Sequence, residues 1–547
     1  MNCRIVNDFK MSREKFTVIK RRWLAVIVIL AATIAGQAAA SPKHEMRGLW
    51  VATVYGIDWP STSGTTPAVA EAQKKELTAL LDLAARSGFN SVLLQVRPMA
   101  DALYKSSLEP WSAYLTGTRG AVPAKGWDPL GFAVKECHAR GLELHAWVNP
   151  FRFSSSATLP STPADRKAIG KEWVLSHLKT VSAPAPKSKA RKGKKGKRKA
   201  APRKTTVKGV SILDPGNPEA RKHIVEVCRE IVKNYDVDGL VFDDYFYPEK
   251  FPVAEGIDPL EEGDRRRRNV ATAIAEVYDM IQQEKPWVRF GVAPAGVAGG
   301  NGKACAEHGL QPPPVGNDWM YDDIYCDPLR WLADGTVDYV SPQVYWPMDH
   351  ATNPFAPLVE WWAGVARHFG RHLFVSQNVP SLPAGSAAWK EQRAEVGVTR
   401  LAARKEAIPP GQVFYSAAHL TGKKAKGLAS ELAVNEYSTP ALMPPMTWKD
   451  APPMEKVKNL TRNDNTLSWF DRGHGRYVCY AIPIGVGPID ALAQDGPNFD
   501  GKYIVGVTYG NSFELPMRVL KGYWYAVAPY DRYGNEGEAV TLNAPAL

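Results

Sequence analysis

The chain has 547 residues, 45% of them hydrophobic, with 17 tryptophans; this excludes a disordered chain and exceeds one ordinary core, so two or three domains are expected. Its formal charge of +12 misleads, because residues 1–40 carry +5 and residues 187–204 carry +11, which leaves the remainder mildly acidic at −4. A nucleic-acid enzyme carries its basic surface on the folded body, so no nucleic-acid partner is expected.

In chain order, residues 1–40 read as a signal peptide. Lys20-Arg21-Arg22 precede a short apolar stretch from Trp23 to Ile34, and Ala38-Ala39-Ala40 forms a small-residue cleavage site before Ser41. The apolar run is too short to span a bilayer comfortably, so a periplasmic or secreted product is expected. Eight strand-like runs follow: Met46–Thr53, Ser91–Pro98, Leu142–Asn149, Gly239–Phe246, Arg289–Gly296, Asp338–Trp346, His372–Val379 and Gly411–Leu420. Helical spacing lies between them, as in Ala70–Ser87 and Pro218–Tyr235. Strand–helix alternation predicts a parallel sheet, and eight units over residues 41–442 predict an α/β fold, a closed (β/α)₈ TIM barrel. An open doubly wound sheet is the alternative, but no GxGxxG follows any strand.

The tract 183–206, APAPKSKARKGKKGKRKAAPRKTT, falls between the third and fourth strands and cannot build a core. It is either a solvated insertion or an electrostatic tether to an anionic envelope polymer. Pro-rich punctuation at 443–454 predicts a linker, and residues 455–547 carry short alternating runs at Asn465–Phe470, Arg476–Ile482, Tyr503–Tyr509 and Gly522–Pro529. They predict a C-terminal all-β sandwich similar to a fibronectin type III module. Beyond Cys3 there are five cysteines, of which Cys305 and Cys326 flank a loop and could pair. The acids Asp322, Asp323 and Asp327 fit capping and turn roles, and neither a metal nor a cofactor is expected.

Barrel enzymes act at the C-terminal ends of their strands. Here those ends carry Trp50, Asp58 and Trp59; Gln95 and Arg97; His145, Trp147, Asn149 and Arg152; Asp243, Asp244, Tyr245 and Tyr247; Gln343, Tyr345, Trp346 and Asp349; Gln377; and Tyr415. Aromatic faces stack on sugar rings while amides, Arg and Asp bond hydroxyls, so this lining suits a glycan. Asp243-Asp244 is the sharpest signal, because carboxylates at a strand end are costly unless used. Successive strand residues face opposite ways, which favours Asp243 as the inward one and leaves Asp244 open. Glycoside hydrolysis uses two carboxyl groups. Asp349 and Asp58 are the candidates for the second, and His145 with Asn149 is expected to orient substrate.

The motifs EMRGLWVATVYGIDWPS, NSVLLQVRPMADALY, LELHAWVNPFR, ILDPGNPEAR, DGLVFDDYFYP, YDDIYCDPLRW and DYVSPQVYW occur in this order. Together they closely resemble the glycosyl-hydrolase-like family ten of bacteria, over about residues 45–440. The resemblance implies an envelope-facing (β/α)₈ glycosidase, often with a C-terminal sandwich, linked to cleavage of peptidoglycan glycan strands, including strands stripped of their peptides. Asp243 and Asp244, with Gln95, Arg97, Asn149, Gln343 and Tyr345, would then line the site. The sequence departs from the family pattern at the basic insertion and at APAGVAGGNGK after the fifth strand, where small residues replace bulkier ones. A non-catalytic glycan-binding barrel, or a hydrolase of another extracellular polysaccharide, are the other readings.

Overall fold

The computed structural model describes residues 41–545 apart from 155–168, 170–172, 183–204, 250, 301, 316–318, 380–386, 422–426, 472, 474 and 494–497. Pro42–Leu547 form one compact unit. The expected export segment, residues 1–40, and almost all of the basic tract lie outside the described residues.

In the N-terminal four-fifths of this unit the strands are β1 (Met46–Val51), β2 (Ser91–Arg97), β3 (Glu143–Val148), β4 (Arg152–Ser154), β5 (Val174–Ser182), β6 (Thr205–Leu213), β7 (Gly239–Phe242), β8 (Arg289–Val292), β9 (Tyr339–Val340), β10 (His372–Leu373), β11 (Val375–Asn378) and β12 (Gly411–Tyr415). Nine of them form one parallel sheet in the order β10-β9-β8-β7-β3-β2-β1-β12-β11. β10 and β11 are two pieces of one strand divided at Phe374. The amides of Phe374 and Ser376 donate to the carbonyls of Val340 and Pro342 at 3.0 and 2.9 Å. The sheet thus returns on itself as an α/β barrel, and each of the eight expected strands has its place in it.

The helices form for local reasons. Thr66 caps Pro67–Arg86 by accepting from the amide of Val69, proline opens the first turn, and Leu77, Leu80, Leu81 and Ala84 face inward. Asn217 and a proline do the same for Pro218–Asn234. Asp327 caps Pro328–Ala333 through the amide of Arg330, the role expected of it.

The barrel interior is filled by alternate strand residues, including Trp50, Leu93, Trp147, Val241, Tyr339, Phe374 and Val413. Glycines make room for the large ones. A Cβ at Gly291 would stand 2.2 Å from the Tyr339 ring, so that ring crosses the barrel only because β8 has no side chain there.

Two features lie outside the expected plan. β4, β5 and β6 form a three-stranded antiparallel sheet after β3, with β5 and β6 paired from Val174↔Leu213 to Ser182↔Thr205. The basic tract therefore connects the far ends of a long hairpin. Second, Cys137, Cys228, Cys305, Cys326 and Cys479 are all buried, and none is held in a disulfide. The Cys305–Cys326 pair that the sequence allowed is not formed, and the Cys305 thiol points to the carbonyl of Gly299 at 3.6 Å.

Downstream, β13 (Lys458–Asn463), β14 (Thr466–Phe470), β15 (Tyr477–Pro483), β16 (Ile504–Thr508), β17 (Ser512–Glu514), β18 (Tyr523–Pro529) and β19 (Val540–Leu542) build two antiparallel sheets, β13-β14-β17 and β16-β15-β18-β19. Leu467 and Trp469 of the first share a buried cluster with Tyr477, Cys479 and Val527 of the second. This β region closes the N-terminal end of the barrel. Arg476 donates to Glu143 at 2.7 Å, Arg532 meets Asp238 at 3.0 Å, and Tyr509 stacks on His138 at 3.9 Å. Residues 443–454 take part as well: Met443 and Met446 are buried, and Trp448 and Lys449 donate to Asp338 at 3.0 and 2.9 Å.

Candidate active site

The opposite end of the barrel is open. A cavity of about 750 Å³ lies among the loops that follow β7, β8 and β9. Its walls are Asp244 to Glu249, Ala295 to Val297, Trp319, Met320, Ile324, Gln343, Tyr345 and Trp346, completed by Arg152 of β4 and by Val210 and Ile212 of β6. The antiparallel sheet inserted after β3 therefore forms one side of the site.

The two aspartates divide as strand alternation requires. Val241 points into the barrel and Phe242 into the outer core, so Asp243 points inward again. The Trp147 indole donates to its carboxylate at 3.3 Å, as does the amide of Tyr245. Asp244 faces the other way, into the cavity, where the Gln343 side chain bonds it. The inward aspartate is thus the one expected, but its neighbour is the one that lines the cavity.

Both carboxyls are held in the proton-binding range. Burial pushes Asp243 up to about 7, opposed by the Arg152 guanidinium and reinforced by Asp244. Burial also pushes Asp244 up to about 6, opposed by the Gln343 hydrogen bond and Arg152. Arg152 lies over the Tyr245 ring, 3.7 Å from its centroid. Tyr345 and Tyr415 stack at 5.8 Å. Such a pair, with one member on the wall of an aromatic cavity, can transfer a proton near neutral pH while ring faces hold an apolar sugar surface.

The predicted residues fall into four groups. Arg152, Asp244, Tyr245, Tyr247, Gln343, Tyr345 and Trp346 converge on the cavity. Asp243, Trp147, Trp50 and Tyr415 gather at the barrel mouth beside it, where Trp50 packs edge-on against Trp147 at 4.9 Å. A third group does not reach the cavity, because each member is bound into the frame. Gln95 accepts from the amides of Thr53 and Val54 and donates to Asn149. Arg97 forks onto Glu109 and the carbonyls of Asn149 and Pro150. Asp58 ties β1 to β12, accepting from Ala52, Ser416 and Ala418. The Trp59 indole is spent on the Gln73 carbonyl. Gln377, fully buried, reaches Thr399. His145 sits low in the barrel between Tyr339 and Glu143, so neither it nor Asn149 is placed to orient a ligand in the cavity. In the fourth group Asp349 is exposed and outside the cavity lining, which places neither it nor Asp58 opposite Asp244.

Sequence reasoning missed Glu249, a second carboxylate on the cavity wall, and Trp319, whose ring is 41% exposed there. Glu249 lies just beyond DGLVFDDYFYP, and counting along that loop would have found it. The small residues after β8 also have a reason. A Cβ at Gly296 would stand 2.6 Å from the Gln343 carbonyl and 2.7 Å from the Trp346 ring, so the glycine lets Trp346 reach the cavity.

A profile of glycosyl hydrolase-like 10 proteins matches residues 45–392. The chain is 32% identical over 470 residues to glycosyl hydrolase YngK of Bacillus subtilis strain 168, covering 81% of this chain and 82% of that one. It is 34% identical over 361 residues to glycosyl hydrolase DigH of Escherichia coli strain K12, covering 61% and 73%. Among solved structures, the glycoside hydrolase domain of PgaB (BpsB) from Bordetella bronchiseptica aligns with a TM-score of 0.44 at 13% identity, covering 72% and 99%. On the extent of the profile match and the identity to YngK, the chain belongs to the glycosyl hydrolase-like 10 family.

Proposed function

We propose that this protein is an exported glycoside hydrolase that cleaves the glycan strands of peptidoglycan, peptide-free strands included. The observation that carries the reading is the proton-binding pair Asp243-Asp244 at the end of β7, with Asp244 on the wall of an aromatic cavity. Asp244 gives its proton to the leaving glycosidic oxygen. Charge develops on the sugar at C1, and a carboxylate meets it directly or through a water. Asp243 acts from the barrel mouth by sharing the proton load, and Glu249 supplies a further carboxylate on the same wall.

The export segment 1–40, cleaved near Ala40, places the enzyme in the periplasm or outside the cell. The tract 183–206 holds it against an anionic envelope polymer. Residues 455–547 serve as a fibronectin type III-like module.

The test is product release from peptide-free glycan strands and from plant polysaccharides by wild type, Asp243→Asn and Asp244→Asn. The expected result is sugar release from the peptidoglycan glycan, abolished in at least one variant. Full activity in both variants removes the site assignment. The exposed position of Glu249 favours a second reading, a glycan-binding barrel without turnover. Binding without any product from wild type would establish it.

A further inference from the structure

Outside the cavity, the rim presents one aromatic side chain at the expense of its backbone. Among the described barrel residues the most exposed aromatic rings are Tyr55 at 63%, Tyr245 at 52% and Trp319 at 41%. All three stand in loops that follow strands, those after β1, β7 and β8. Tyr245 and Trp319 line the cavity, whereas Tyr55 does not.

Tyr55 has φ of 57° and ψ of 15°. A bulky side chain rarely adopts this left-handed conformation, and such strain persists only where the surroundings over-determine it. They do so here. The amides of Thr53 and Val54 both donate to the Gln95 side chain, and the Thr53 hydroxyl donates to the Gln95 carbonyl. Asp58 holds the amide of Ala52 at 2.6 Å on the other flank. These buried groups pin both feet of a turn whose tip is an exposed tyrosine.

The ring is also braced from the next loop. Tyr55 and Tyr114 stand 5.5 Å apart, edge to face at 70°. Tyr114 reaches Met99 at 3.6 Å. Arg119 fixes that loop by donating to the carbonyls of Met99 and Ala100. Arg152, which lines the cavity and lies over Tyr245, also acts electrostatically on Tyr114.

We propose that Tyr55 and Tyr114 form a second sugar-stacking platform on the barrel rim, separate from the Asp244 cavity, which grips the continuing chain of a polymeric glycan. The proposal rests on the glycan reading above and adds to it a second point of contact on the strand, away from the cavity. A rigid tyrosine face buries apolar C–H surface at little entropic cost, and pinning the turn beforehand leaves little ordering to be done on binding.

The test compares disaccharide and hexasaccharide peptide-free glycan strands as ligands and substrates. Affinity is measured by calorimetry in the Asp244→Asn background and kcat/KM in the active protein. Wild type should prefer the longer strand. Tyr55→Ala and Tyr114→Ala should lose about tenfold on the hexasaccharide and stay level on the disaccharide, while Tyr55→Phe keeps the preference. Tyr55→Gly, which relieves the left-handed strain, should raise the unfolding midpoint while losing long-strand affinity, so a folding defect cannot mimic the result. Equal losses on both lengths, or no loss on the longer, overturn the platform alone. If wild type neither binds nor cleaves any glycan, the glycan reading falls and the platform falls with it.

Discussion

At the scale of single residues the two aspartates set the pH dependence of both stability and activity. Their folded-state values near 7 and 6 lie above the ordinary carboxyl range. The folded protein therefore holds protons that the unfolded chain has released. This contribution to stability is fully present below pH ~4 and is lost as pH rises through about 6 and 7, by a few kcal/mol in all. Asp243→Asn should thus unfold at higher denaturant than wild type at pH 8 and close to wild type at pH 4, read by urea titration at both. A variant no more stable at pH 8 would mean that the carboxyl is not buried as described. In activity the same protons matter in the same sense. With Asp244 as the proton donor, kcat/KM falls as pH rises through about 6. Because Arg152 lowers both groups, Arg152→Gln should move that limb to higher pH; an unmoved limb would detach it from this pair. Glu249→Gln tests the remaining carboxylate and should lower kcat by on the order of 100-fold without changing the fold.

At the scale of elements, the barrel strands were legible because each is a short apolar run ending in polar residues, and the helices because Thr66 and Asn217 cap regular apolar spacing. The location of the site was legible too, since seven of the expected lining residues meet at one cavity. What escaped were the consequences of chain geometry at the rim. Gln95, Arg97 and Asn149 have the residue types of a sugar site, yet they bond one another and the β1–β2 loops. Side-chain chemistry alone does not separate a polar group that awaits a ligand from one already satisfied. β5 and β6 escaped because hairpin recognition depends on a short turn, and here a polybasic run of 183–204 joins them. Gly296 gives the element-scale prediction. Gly296→Val would collide with the Gln343 carbonyl and the Trp346 ring, displacing Gln343 from Asp244. Activity should fall at least tenfold, with Asp244 titrating higher once it loses that hydrogen bond. A crystal structure or pH profile showing Gln343 and the acid limb in place would refute it.

At the scale of the whole molecule, the barrel has a working end and a closed end, and the closed end is ionic. Burial alone would raise the Asp238 carboxyl, but Arg532, His138 and Arg476 hold it well below the usual range. Glu143 is lowered in the same way, its burial outweighed by Arg476 and the His145 hydrogen bond. These carboxylates belong to the barrel, while Arg476 and Arg532 belong to the β region, so without the β region Asp238 keeps only His138 and Glu143 only His145 and the more distant Arg289. The sequence signs for a linker at 443–454 come from its prolines, and prolines do not tell whether a segment hangs free or packs. Here Trp448 and Lys449 fasten it to Asp338. Such an interface makes two sequence domains into one unfolding unit. Arg476→Ala should cost about 3–5 kcal/mol, because it leaves the buried Glu143 without its main cation, with only His145 and the more distant Arg289 beside it, rather than merely deleting a surface ion pair. The loss should appear in a single transition, with near-ultraviolet signals of the barrel and the β region changing together in denaturant. The pH dependence should run opposite to that of Asp243. A depressed carboxyl stabilises above its unfolded value, and the contribution is lost as pH falls through the folded one. The wild-type advantage over Arg476→Ala should therefore be full at pH 7 and shrink in acid. Two separated transitions in wild type, or an advantage that grows on acidification, would show that the β region merely rests on the barrel.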